Sequence, residues 1–439
     1  MIFGRGRYDD DDDEDEDEED IDFVLFQGAL NGNNPDLGAH GKLVQAGLLP
    51  AKRLISEALS RRSEMIRIDF KGKAAASTMF VDGVPYSPSR MPPNMALAIT
   101  QILKLLAGLD IRVKDKPQQG GIKAEYDGTP YEIRINTQPV KGGPERLIIR
   151  AYDSRVKLDT PKDLGFSESL VDKIRDVSSS SEGMIVVSGP PFSGVTTSMI
   201  ATVRATDAYM YSIYCLTSLE GRDVPHVRMF PPNPGDDLER TMTRAKREDA
   251  DVMVVDPLDN VQTIKLALEF SDRAAIVAEM PARDAADALA KLVQVSGDPN
   301  LVAERMRLVL SQMLIRLLCK ECRLAYRPHP KLLSRLGLPP ETKVLYRPYE
   351  PDEEEEEEEP CERCGGTGYY GRTGLMEVIE MTDGMKEVIR QGGDAKAIRA
   401  QARTEKMQTF QSDGLRVVID GKTSLEELQR AFKAQSSGK

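Results

Sequence analysis

The chain has 439 residues, room for two or three domains and a large core. Its net charge of −12 conceals two acidic blocks, twelve acids at 9–20 and eight at 352–359; without them 51 acids face 59 Lys and Arg, so the rest of the chain is near +8. Five cysteines in so long a chain argue against a disulfide framework, and the lack of any run of 18 apolar residues argues against a membrane-spanning helix.

Residues 1–27 carry the block DDDDDEDEDEED, which repels itself and has nothing to bury, so a disordered acidic tail is expected. Arg5 and Arg7 run into acids rather than an apolar segment, so no secretory signal peptide is expected and the protein should be cytoplasmic. Residues 28–51, rich in Gly and Asn over 28–41, read as a linker. Residues 52–153 read as a small α/β domain. Leu54, Ala58 and Leu59 keep helical spacing and run into the alternating strand IRIDF. MALAITQILKLLAGLDI reads as a second helix stopped by Gly108, and YEIRINTQPVKGGPERLIIRAYD as two strands joined through a Gly-Gly turn.

From Leu158 to 439 the pattern becomes that of a doubly wound α/β domain. The apolar runs MIVVS, SIYCLTS, VMVV and AAIVA suit buried parallel strands, with helices between them. RDAADALAKLV and NLVAERMRLVLSQMLIRLL read as outer helices, GLMEVIEM as a strand, and short helices complete the chain. Cys215, alone in SIYCLTS, reads as a buried structural thiol.

Two motifs carry chemistry. GPPFSGVTTS follows MIVVS directly and has the spacing of a phosphate-binding P-loop: Gly189 and Gly194 in place, Ser193, Thr196 and Thr197 offering hydroxyls, but Val195 at the lysine position. Backbone N–H groups and a helix N-terminus can still receive a phosphate there; the charge that reaches its outer oxygens is missing. The second motif is C-x2-C, 38 intervening residues, then C-x2-C: Cys319, Cys322, Cys361 and Cys364. Four thiolates in two pairs, inside a reducing compartment, point to structural zinc in a module over 319–364. The second acidic block lies between the two pairs.

The order LDTPKDLGFSESLVDKIRDV, GMIVVSGPPFSGVTTSM, DADVMVVDP, CKEC and PCERCGGTGYYGRTGLMEVIEMTD resembles the secretion and type IV pilus assembly ATPases, the GspE/PilB family. LISEALSRRSEMIRI, LAGLDIRVKDKPQQGG, YEIRINTQPVKGGPERLIIRAY and DGLRVVIDGKTSLEEL extend the likeness over about 52–432. The resemblance implies a RecA-like P-loop NTPase domain preceded by a PAS-like α/β domain. It implies a hexameric ring that converts ATP hydrolysis into subunit motion beside an inner-membrane platform protein.

Within that likeness the departures are informative. The acidic box reads Leu219-Glu220-Gly221 and retains one carboxylate; the Walker B box reads Asp256-Pro257, with proline at the catalytic glutamate; Met280 stands at the histidine position. The only histidines, His40, His226 and His329, lie elsewhere. Arg134 and Arg150 match positions from which the family's middle domain contacts a nucleotide; alternating exposure along a strand also explains arginines there. Phosphoryl transfer depends on positioning and on neutralising charge, so these replacements imply weak ATP/Mg²⁺ binding and little hydrolysis. The expected role is a pseudo-ATPase, a ring-forming or regulatory subunit of a homo- or hetero-hexamer with a paralogous ATPase, cytoplasmic and peripheral at the inner membrane. An active but atypical motor ATPase is the alternative. A zinc-bearing nucleic-acid binder is a second one, disfavoured by 5% aromatics and no Trp, and direct nucleic-acid binding is not expected.

Overall fold

A computed structural model describes residues 23–71, 74–141, 143–156, 160–178, 181–191, 193–217, 219, 224–255, 257–349 and 359–437. The acidic block 9–20 and residues 352–358 of the second block lie outside them. The chain divides into two compact units, Met1–Lys157 and Leu158–Lys439.

The first unit holds β1 (Leu25–Ala29), α1 (Gly41–Ser60), β2 (Met65–Lys71), β3 (Ala74–Val81), β4 (Val84–Pro85), β5 (Ser89–Met91), α2 (Pro93–Leu106), β6 (Gln118–Tyr126), β7 (Thr129–Val140) and β8 (Gly143–Asp153). Its sheet runs β1-β6-β7-β8-β2-β3-β4, with β5 on β3 and every pairing antiparallel. Ile133, Ile135, Leu147 and Ile149 project from one face into a core shared with Leu54, Ile55, Ile99 and Ile102 of the two helices. Alternation then sends Arg134 and Arg150 to the other face.

The segment read as a linker is largely built into this unit. Its first residues finish β1, and α1 starts at Gly41. Gly47 and Pro50 look like loop punctuation in sequence, yet both lie inside α1. Gly47 is buried where a Cβ would meet the Ala98 carbonyl oxygen of α2 at 2.6 Å, so a close helix crossing explains the glycine.

The second unit contains α3 (Glu168–Ser178), β9 (Met184–Gly189), α4 (Val195–Ala205), β10 (Ile213–Cys215), β11 (Val227–Met229), α5 (Leu238–Arg247), β12 (Val252–Val254), α6 (Val261–Phe270), β13 (Ala275–Pro281), α7 (Ala285–Ser296), α8 (Pro299–Arg305) and β14 (Met306–Leu318). After them come β15 (Leu324–Tyr326), α9 (Pro330–Leu336), β16 (Leu345–Arg347), β17 (Tyr369–Glu380), α10 (Asp383–Arg390), α11 (Ala395–Thr404), α12 (Phe410–Ile419) and α13 (Leu425–Ser437). The main sheet runs β11-β10-β12-β13-β9-β14-β17, parallel except for the β14–β17 pair. One face packs on α3 and α4 through Ile185, Val187, Leu308 and Leu310. The other packs on α6, α7 and α8 through Met184, Val186, Ala278 and Val309.

Here the long outer helix expected over 300–318 is corrected. Only Pro299–Arg305 is helical; Met306 begins a thirteen-residue strand. β14 lies between β9 and β17 with both faces covered, so apolar residues fall on both faces and the period that separates strand from helix is lost. Cys215 is buried in β10, as its surroundings suggested.

Candidate functional site

β9 is buried at all six positions and delivers the chain to Gly189. Pro281 of β13 pairs with Gly189, and the Ala282 N–H donates to its carbonyl at 3.1 Å. The loop closes at Gly194, the N-cap of α4, with φ +86°, a conformation that favours glycine. No side chain caps the helix, so the first-turn N–H groups and the positive end of the α4 dipole face the loop.

The floor of this loop comes from β14. Gln312, 4% exposed, donates from Nε2 to the Ser193 carbonyl oxygen at 2.6 Å. A Cβ at Gly189 would lie 2.6 Å from the Gln312 carbonyl oxygen and 2.5 Å from Ser193 Oγ; one at Gly194 would lie 3.0 Å from Gln312 Nε2. Both glycines therefore admit Gln312 as well as shaping the loop. The sequence signal for this residue was available, a lone amide inside an apolar run, but the misassigned helix hid it.

Val195 is the first residue of α4, half-buried against the cluster that holds Ile185, Val187 and Met199. Thr196 and Thr197 follow on the first turn, both half-buried. Pro257 is half-buried beyond β12, and the adjoining Leu258 N–H donates to the Glu279 carbonyl at 2.8 Å. Met280 is 4% exposed and packs with Ala278 into the core on the face of the sheet opposite α4. Alternation along β13 puts Glu279, not Met280, on the α4 face. The structure thus brings Gly189, Ser193, Gly194, Val195, Thr196 and Thr197 together and leaves Met280 apart. Glu220 and Asp256 lie outside the described residues.

Arg134 and Arg150 belong to the first unit, where they face each other across the β7–β8 pair. Arg134 bonds Glu132 at 3.2 Å and stacks over Tyr152 at 5.1 Å from the ring centre. Their face also carries Arg146, which donates from Nε to Asp69 at 2.6 Å.

The four paired cysteines converge. All four Sγ atoms lie within 4.8 Å of one another, with Cys319–Cys361 at 3.9 Å and Cys322–Cys364 at 3.7 Å. Ligands at about 2.3 Å in a tetrahedron would stand about 3.8 Å apart, so this set fits a thiophilic metal ion. Backbone hydrogen bonds from Cys364 and Arg363 hold the Cys361 thiol below its ordinary range, whereas burial and the neighbouring thiols push Cys322 up. Beside the cluster, Arg316 of β14 stacks over Tyr369 of β17 at 3.9 Å and bonds Glu427 at 2.7 Å, fastening α13 to the two strands between which the cysteines lie. Among the described residues no helix is long and apolar enough to cross a membrane.

The model of the type II/IV secretion system protein family matches residues 45–430. The type IV pilus assembly ATPase PilB of Thermus thermophilus is 28% identical over 383 residues, 86% of this chain and 42% of the relative's length. PilB of Pseudomonas aeruginosa is 28% identical over 359 residues, covering 80% of this chain and 61% of the relative. The type II secretion system protein HxcR of the same organism is 28% identical over 349 residues, 78% and 68% of the two chains. The chain therefore spans only part of the first two curated relatives. Among solved structures, the ATPase DotB of Yersinia pseudotuberculosis is similar in fold, with TM-score 0.54, 14% identity, and 93% and 96% of the two chains covered.

Proposed function

The chain belongs to the type II/IV secretion system protein family, and from that premise we propose that it is a hydrolysis-deficient ATPase-family subunit of a type II secretion or type IV pilus machine. It has a RecA-like nucleotide domain behind a PAS-like domain and works in a hexameric ring beside a catalytically intact relative. The ring stands on an inner-membrane platform protein at the cytoplasmic face. One observation carries this reading. The P-loop frame of strand, glycines and helix N-terminus is complete, yet the side chain at its lysine position is a half-buried valine.

Such a loop receives a phosphate through backbone donors and gives the terminal phosphate no cation. Thr196 supplies a hydroxyl at the motif's Mg²⁺ position, and Pro257 carries no carboxylate to orient water. Gripping the nucleotide weakly and with no carboxylate at position 257, the subunit turns over little ATP. Arg134 and Arg150 set two positive charges on one face of the first unit's sheet, which suits action on a neighbour's site in trans. The four cysteines hold structural zinc, which closes the chain between β14 and β17 and contributes folding free energy directly.

The test mixes the purified protein with an intact paralogous ATPase from the same organism and follows particle size and turnover. Co-assembly, with a rate that Arg134→Ala and Arg150→Ala both alter, is expected. Failure to co-assemble, or variants that change the partner's rate no differently from the unaltered protein, contradicts the reading.

A further inference from the structure

Around the start of α4 three buried polar groups have no partner among the described residues: Gln312 Oε1, Ser193 Oγ and Ser198 Oγ. Their residues are 4%, 6% and 0% exposed. An unpaired buried polar group costs about 1–3 kcal/mol, so three around one loop mark a place built to be completed by a ligand and its waters. Gln312 is also the residue that touches both ends of the loop, at Gly189 and at Gly194. Along β14 it occupies the face used by Leu308 and Leu310, where an apolar residue would complete the core.

Its amide orientation is fixed by chemistry. A carbonyl oxygen can only accept, so the group donating to the Ser193 oxygen at 2.6 Å is the NH₂ and Oε1 points elsewhere. In a trans peptide the carbonyl and the following N–H point in opposite directions. With the Ser193 carbonyl held against β14, the Gly194 N–H is turned away from it, and it donates to no backbone carbonyl among the described residues. Ser193 Oγ, free to rotate its hydrogen, adds a second donor on the same short segment.

We propose that Gln312 is the positioning residue of this loop: its grip on the Ser193 carbonyl aims the Gly194 N–H and the Ser193 hydroxyl at a phosphate group. The preferred ligand is a phosphate anhydride, a nucleoside diphosphate or pyrophosphate, whose inner phosphate is met by backbone donors without help from a lysine. This inference rests on reading the loop as a nucleotide site.

Calorimetric titration with ADP and with pyrophosphate tests it on the full chain, the Gln312→Met variant, which keeps length and loses the donor, and the Gln312→Glu variant. Loss of one net hydrogen bond should weaken binding roughly 3- to 10-fold in the Met variant. The Glu variant, which sets a negative charge beside the anion, should lose more. A merely structural glutamine would lower the melting temperature of the ligand-free protein and leave the dissociation constants of folded protein unchanged; that result overturns the proposal while the nucleotide reading stands. Should the Met variant not fold, Gln312→Asn, neutral and polar but one methylene short of the Ser193 carbonyl, makes the same comparison. Absence of binding of either probe to the unaltered protein removes the nucleotide reading and this inference together.

Discussion

Placing a lysine at position 195 would return to the loop the charge it lacks. Val195 opens α4, half-buried, with Cγ2 only 2.8 Å from where a Cβ on Gly189 would stand, so the stem of a lysine would run back along the loop toward its glycines. The stem retains most of the valine's apolar contact while the ammonium reaches outward. A charge-assisted hydrogen bond to phosphate contributes about 1.5–3 kcal/mol, which at about 1.4 kcal/mol per decade is roughly 10- to 150-fold in affinity. Because that lysine reaches the β- and γ-phosphates, ATP should gain more than ADP. Turnover should not follow, since Pro257 still offers no carboxylate to the attacking water. Calorimetry on Val195→Lys with both nucleotides, alongside a steady-state phosphate-release assay, measures the two effects separately. A variant that binds ATP no tighter, or that hydrolyses it on the order of 1 s⁻¹, would contradict a missing charge at position 195 and a missing carboxylate at 257.

Glu377 is buried on β17, and burial, then the nearby Asp284, raise its pKa from 4.5 to about 7 against the N–H donated by Ala285. Its folded pKa is raised, so its contribution is fully present below pH 4.5 and lost as pH rises through 7, a swing on the order of 3 kcal/mol. Glu377→Gln should flatten the fall in stability between pH 5 and 8, and melting curves with equal pH slopes would show the opposite. Lys104 is fully buried and bonds Glu145 at 2.9 Å; Lys104→Met, leaving that carboxylate unpaired, should cost about 3–5 kcal/mol in denaturant unfolding, much of it recovered by adding Glu145→Leu. Metal analysis should find one zinc per chain, and Cys361→Ser should lower both zinc content and melting temperature; well-folded protein without zinc would contradict the metal assignment.

Much of the architecture was legible because its signals are local. The run MIVVS followed by paired glycines announced the β9–loop–α4 unit, and the two CxxC pairs announced a cluster whose sulfurs meet across 42 positions of chain. What stayed hidden depends on tertiary context. β14 lost its period because both of its faces are covered, and with it went Gln312, which reads as an ordinary amide until β14 is laid beside β9. Residues 28–51 read as a linker from the Gly and Asn over 28–41, and the helix that begins at Gly41 was missed; the close approach of α2 that keeps Gly47 small leaves no trace in neighbouring sequence. The separation of Met280 from the loop is a matter of which face of β13 it takes, which a one-residue change in alternation decides.

The most direct test is steady-state ATP turnover by the purified full chain alone, with Mg²⁺ saturating and contaminating ATPases removed. Phosphate release should be no faster than in a protein-free control, in unaltered protein and in Val195→Lys alike. Turnover near 1 s⁻¹, the scale of an ordinary slow enzyme, from the unaltered chain would contradict hydrolysis deficiency.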